Sequence, residues 1–220
     1  MDAVLEMLPT VTQIEDIIAF AERLKRPVQS SEFISALGVG DQSIKRAVEA
    51  GGLEKLGRGV YKATSVPLTG WEAVAELVLR HPHVVISDLT AAAIHSLTYY
   101  PGHAVTAAVP RDRYRPGGTV GQGIPVQCRA VTPYMMPTTP SAEYGVEWRQ
   151  VGGVGMLVTS PVRTAADLAM QVSRISDEIA QDAADNLRNQ VEDADEQLVA
   201  LLGRLRADGI AYERIGLQRP

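Results

Sequence analysis

Gln42, Ser43, Lys45 and Arg46 stand together in one short stretch, with Arg58 and Lys62 in the glycine-rich segment that follows. The set combines amide and hydroxyl hydrogen-bonding groups with fixed cations and contains no paired carboxylates. Amide and guanidinium groups read base edges, while lysine and arginine hold phosphates. The chemistry these residues suit is recognition of duplex DNA. A second cluster, Arg111, Arg113 and Arg115 around Tyr114, sets guanidinium groups beside an aromatic ring, as in phosphate contacts with a stacked base. The competing reading of that loop is a solvated hairpin partly neutralised by Asp112.

Other constellations fall short of chemistry. Gly117, Gly118, Gly121 and Gly123 lack a following Gly-Lys-Ser/Thr and lead into a strand, so they make no phosphate loop. His81, His83, His95 and His103 lack further ligands at ordered spacing, and Cys128 is isolated. Ser87, Asp88 and His95 have no nucleophile elbow around them. Cys128, in an expected strand, reads as a packed thiol. No catalytic, metal or cofactor site is expected from these spacings.

The elements that must position the polar residues follow from periodicity. Ile14, Ile17, Ile18, Ala21 and Leu24 predict an amphipathic helix from about Val11 to Lys25, ended by Pro27. Ser30 or Ser31 is expected to cap a short helix with Phe33, Ile34 and Leu37 inward. Gly38-Val39-Gly40 is a turn of the length that joins two crossed helices. Asp41 is expected to cap the next helix, which packs through Ile44, Ala47 and Val48 and stops at Gly51-Gly52. Two short strands around Gly57-Arg58-Gly59 then form a tight hairpin with Arg58 at its tip. From Asp41 to Lys62, Lys45, Arg46, Lys55, Arg58 and Lys62 oppose Asp41, Glu49 and Glu54, a local excess of +2. So small an excess implies a further contact, either the Arg111–Arg115 loop or a dimer.

Further along, a helix is expected from Trp71 to Arg80, a buried strand in HPHVVIS, and a helix capped by Ser87 or Asp88. Strands follow over Ala104 to Val109, Ile124 to Val131, Val146 to Gln150 and Gly155 to Thr159. Ser160 and Pro161 open a helix on which Arg163 and Asp167 are expected to make a local, exposed ion pair. Two amphipathic helices close the chain, the first carrying Ile179, Ala183 and Leu187, the second Leu198, Leu201, Leu202 and Leu205.

The fold class is α+β, with a domain over 1–66 and a larger mixed strand and helix domain over 67–220. The composition, 45% hydrophobic and 21% charged, supports a packed core. The net charge of −5 argues against a protein coated with nucleic acid but permits a local basic face. One cysteine suits a reducing compartment. MDAVLEMLPTV is not a secretory leader, and no run approaches the roughly 20 apolar residues that span a bilayer. A cytoplasmic protein with no membrane contact is expected.

Three stretches in this order, GLEKLGRGVYK, VVISDLTAAAIHSL and VTSPVRTAADLA, resemble the AbiEi family of antitoxins from type IV toxin–antitoxin systems. The resemblance runs from Ile14 to about Met170. It implies an N-terminal winged helix-turn-helix followed by a larger antitoxin domain ending in helices. It further implies a non-enzymatic protein that binds inverted repeats in its own promoter as a monomer or DNA-induced dimer, represses the operon, and counteracts a toxin of nucleotidyltransferase fold. Some relatives carry a nuclease domain; here the sequence at Glu147 is Glu-Trp-Arg, which lacks that motif. Direct toxin contact through the C-terminal helices and a stand-alone transcriptional regulator remain the alternative readings.

Overall fold

The computed structural model describes residues 11–99, 103–132 and 135–220, so the leader reading of MDAVLEMLPT lies outside the described residues. The chain divides into two compact units. One comprises residues up to Arg80 together with 120–122 and 152–154; the other comprises 81–119, 123–151 and 155–220.

In the first unit, α1 (Val11–Leu24), α2 (Ser30–Leu37) and α3 (Asp41–Glu49) pack with a three-stranded sheet of order β1-β3-β2. Its strands are β1 (Val28–Gln29), β2 (Leu53–Gly57) and β3 (Val60–Ala63). Ile17, Ala21, Val28, Phe33, Ile44, Ala47 and Leu53 form the core, with Phe33 set against Phe20 and Tyr61 at ring distances of 5.5 and 6.3 Å. Burial of these apolar faces holds the short helices, which are too short to persist alone.

Two caps differ from expectation. Gln29, not a serine, precedes α2, and its N–H is accepted by the Glu32 carboxylate at 3.0 Å. Arg26 fixes that carboxylate at 2.6 Å, so the reach-back from Glu32 decides where the helix starts. Gly40, not Asp41, caps α3; Asp41 is its first residue, where a carboxylate favours the positive end of the helix. Ile34 is also 44% exposed, leaving Phe33 as the buried anchor of α2.

The helix α4 (Glu72–Arg80), assigned by the sequence reading to the domain beginning at residue 67, clusters with this first unit. Its Glu76, 2% exposed, accepts from Arg80 at 2.8 Å and from the Gly121 N–H at 2.6 Å. That carboxylate lies where a Cβ on Gly57 would stand.

The second unit carries a six-stranded sheet of order β6-β7-β5-β4-β9-β8. Its strands are β4 (Val85–Ile86), β5 (Val105–Pro110), β6 (Thr119–Val120), β7 (Ile124–Val131), β8 (Val146–Val151) and β9 (Val154–Thr159). Strand β4 is antiparallel to β5 and parallel to β9, while β5 and β7 run parallel from Val105↔Val126 to Pro110↔Val131. Gly152 and Gly153, at φ 57° and 78°, make the turn between β8 and β9 in a backbone region that side chains with a Cβ disfavour.

The unit's helices are α5 (Asp88–Ile94), α6 (Pro161–Met170), α7 (Asp177–Gln190), α8 (Ala194–Arg204) and α9 (Gly209–Glu213). The apolar stripes of α7 and α8, through Ala180, Ala183, Leu187, Leu198 and Leu202, are buried in this unit's own core against α6. Buried Arg214 donates to the carbonyls of Leu168 and Ala169 at the end of α6 and pairs with Asp177 at 2.6 Å. A guanidinium there satisfies carbonyls that the helix itself leaves open.

Candidate nucleic-acid interface and a buried ion network

On α3, Gln42 and Lys45 are exposed and Arg46 is half-buried. Ile44 and Ala47, fully buried, turn the opposite face into the core. Lys45 lies 3.7 Å from Glu49, with both side chains solvated, so this contact holds it only weakly. The β2–β3 hairpin carries exposed Arg58 at its tip, beside Gly59 at φ 68°. Strand β1 steadies the hairpin through Gln29↔Val60 pairing and a Ser30 N–H bond to the Gly59 carbonyl at 2.9 Å. Lys55, counted in the local charge but not among the expected contacts, is exposed on β2.

Two expected contacts are not offered to solvent. Ser43 is 7% exposed, on the core side of α3. Lys62 is 3% exposed; its ammonium donates to the carbonyls of Ala63 and Val66 and lies 4.0 Å from Glu54. Strand alternation places Lys62 on the inner side, and its long stem carries the charge to backbone acceptors instead of to water. The first-unit surface therefore presents Gln42, Lys45, Arg46, Lys55 and Arg58.

Arg111, Arg113 and Arg115 belong to the second unit, exposed on the loop after β5. The loop is built by bonds from Arg111 N–H to the Val131 carbonyl (2.8 Å) and Arg113 N–H to the Pro110 carbonyl (2.9 Å). The Tyr114 carbonyl accepts from His83 Nε2 at 2.8 Å, and its ring stands 5.7 Å from His81. This uses the aromatic residue to anchor the loop and leaves the three guanidinium groups projecting.

A feature the sequence reading missed joins the stretches VVISDLTAAAIHSL and VTSPVRTAADLA. Arg163, 1% exposed, donates through Nε to Asp167 at 3.0 Å, so the pair expected on the surface is buried. Arg129, from β7, donates through Nη2 to Asp167 at 2.9 Å and to Asp88 at 3.0 Å, while Gln171 adds a bond to Asp88 at 2.7 Å. Two carboxylates and two guanidinium groups thus balance within one unit.

Burial pushes the Asp88 carboxyl up; Arg129 opposes this and the neighbouring Asp167 adds to it, leaving it above the ordinary range. The same pair of carboxylates holds Arg129 more firmly charged despite burial. Burial raises the Cys128 thiol to about 11, which suits the packed thiol expected from its strand position. His95 donates through Nε2 to the Thr159 carbonyl at 2.6 Å, and burial is the main cause lowering its pKa. The motif residues were visible in the sequence. Their partner Arg129 carried no signal beyond being a lone cation in an otherwise weakly charged strand.

Residues 15–62 match the family model described as "Transcriptional regulator, AbiEi antitoxin". The matched segment holds α1 to β3 almost entirely, and so every exposed candidate of the first unit. No curated protein matches the chain. Among solved structures the chain is similar to the RV2827C protein from Mycobacterium tuberculosis, at 15% identity and a TM-score of 0.60, over 94% of this chain and 76% of that one. At that identity the likeness concerns the fold alone. No helix among the described residues is long and apolar enough to cross a membrane.

Proposed function

We propose that residues 1–66 act as a winged helix-turn-helix that binds promoter DNA, with α3 as the reading helix and the β2–β3 hairpin as the wing. The domain from residue 67 onward then serves as the antitoxin part of a type IV system, opposing a toxin of nucleotidyltransferase fold while the first domain represses the operon. The observation that carries this reading is the joint exposure of Gln42, Lys45 and Arg58 on two elements held by one core, inside the segment that matches the antitoxin-regulator family. Gln42 and Arg46 would read base edges, Lys45 would hold a phosphate, and Arg58 would reach the neighbouring backbone or minor groove. Inverted repeats in the operator would be met by a DNA-induced pair of chains. Arg111, Arg113 and Arg115 are the proposed supplementary phosphate contacts.

The burial of the α7 and α8 stripes in their own core favours antagonism that does not rely on those stripes grasping the toxin. The test of DNA binding is a titration of a promoter fragment across salt concentrations. Two phosphates neutralised by Lys45 and Arg58 contribute about −1.8 per bound chain to the slope of log K against log salt, from about 0.9 each. Arg58→Ala is expected to weaken binding and reduce the slope by about 0.9. Unchanged affinity and slope in both Arg58→Ala and Lys45→Ala would remove the assignment.

A further inference from the structure

The ion network around Arg129 borders a recess of about 680 Å3. A neighbouring recess of about 630 Å3 shares Arg115, Cys128, Arg129, Gln171 and Arg174 with it and extends to Asp208. All of these residues belong to the second unit. The volume lies in the range of sites that enclose small molecules. Leu89 and Val126 give the larger recess an apolar surface, while Gln127 and Gln171 add amides to it. A planar ring with polar edges suits that combination.

The charges point to the sign of the ligand. Arg129 is already engaged by two carboxylates, which fix its guanidinium but leave its buried Nε with no partner among the described residues. Arg115 and Arg174 are exposed, and their side chains make no hydrogen bond or ion pair among the described residues. In a chain of net charge −5, two uncommitted guanidinium groups converging on one recess form a local anion site. Asp88 adds a backbone sign. It holds φ 53° as a buried non-glycine residue, a conformation that persists where surrounding contacts enforce it and that clusters at binding sites.

We infer that this recess binds a nucleotide-sized phosphate-bearing ligand. Arg115 and Arg174 hold the phosphates, Arg129 forms a rigid floor, and the ring lies on Leu89 and Val126. The site is lined by second-unit residues alone. Arg115 is shared with the proposed supplementary DNA contact, whereas Arg174, Leu89 and Val126 are not, so its occupancy does not depend on the DNA-binding reading.

The experiment is calorimetric titration of the full chain with ADP, GDP and inorganic pyrophosphate, with a melting scan of each unliganded variant to report folding. Saturable binding of ADP or GDP is expected, tighter than that of pyrophosphate. Arg115→Ala combined with Arg174→Ala should weaken it by at least about tenfold, since each removes a charge-assisted bond. Arg58→Ala should leave it unchanged. No saturable binding at millimolar nucleotide, or equal binding by the folded double variant, would overturn the site. Pyrophosphate binding as tightly as the nucleotides would overturn the ring contact. Tighter binding of an oligonucleotide that is lost with Arg174→Ala alone, a residue outside the proposed DNA contacts, would overturn the small-molecule assignment.

Discussion

Replacing Asp167 by alanine tests whether the buried ions behave as one network. Asp167 accepts Arg163 Nε at 3.0 Å and Arg129 Nη2 at 2.9 Å, and it is itself 3% exposed. Its removal leaves Arg129 with Asp88 alone and Arg163 with only the Met135 and Tyr144 carbonyls, a surplus positive charge largely cut off from water. Breaking a buried pair by deleting one partner costs about 3–5 kcal/mol. An exposed pair at the same spacing contributes only about 0.3–0.5 kcal/mol. One effect works the other way: Asp88 loses the like-charged neighbour that helps to push its carboxyl up. The net cost should therefore fall near the lower end, about 3 kcal/mol.

Urea unfolding at neutral pH, followed by far-UV circular dichroism, measures this directly. The melting temperature should drop on the order of 10 °C. The double change Arg163→Met with Asp167→Leu removes one charge of each sign and leaves Arg129 paired with Asp88. It should recover at least half of the loss. What remains reflects the bonds from Arg163 Nη1 to the Met135 and Tyr144 carbonyls, at 3.0 and 2.8 Å. A loss below about 1 kcal/mol in the single variant, or a double variant no more stable than the single, would refute the network.

His95 sets a pH dependence. Its folded pKa is lowered by burial, so as pH falls below about 6.5 the unfolded chain takes up a proton that the folded chain resists. Its contribution to stability is present above that pH and is lost below it. His95→Gln should flatten stability between about pH 5 and 6.5 relative to the parent; an identical pH slope in both proteins would contradict this. Lys62→Met tests the relocation of that residue from surface to interior. It should destabilise the fold by about 1–3 kcal/mol, through the carbonyls left unpaired, yet leave the salt slope of DNA binding unchanged. A slope reduced by about 0.9 would return Lys62 to the interface.

The early helices were legible because their apolar residues repeat at the helical period. Ile17, Ala21, Phe33, Ile44 and Ala47 all occupy the core. The hairpin was legible from its glycines. Cap positions shifted because capping depends on a side chain three residues away as much as on local type: Glu32 reaches back to Gln29. Ser43 and Lys62 were misplaced for a different reason. A polar residue beside an apolar face can rotate inward when a backbone acceptor or neighbouring packing receives it, and the sequence does not display that acceptor.

The sequence by itself determined the order of the longer elements but not the short β1, β6 and α9, the polar face of α3 and the arginine at the hairpin tip, and the two motif stretches of the second unit. Those properties reside in local periodicity, turn chemistry and residue type. Tertiary structure alone decided which charges face water. Arg129 meets Asp88 and Asp167 across separations of 41 and 38 residues, and Gln171 meets Asp88 across 83. An ion pair gains its meaning from the dielectric around it, and that follows from which distant elements close over it.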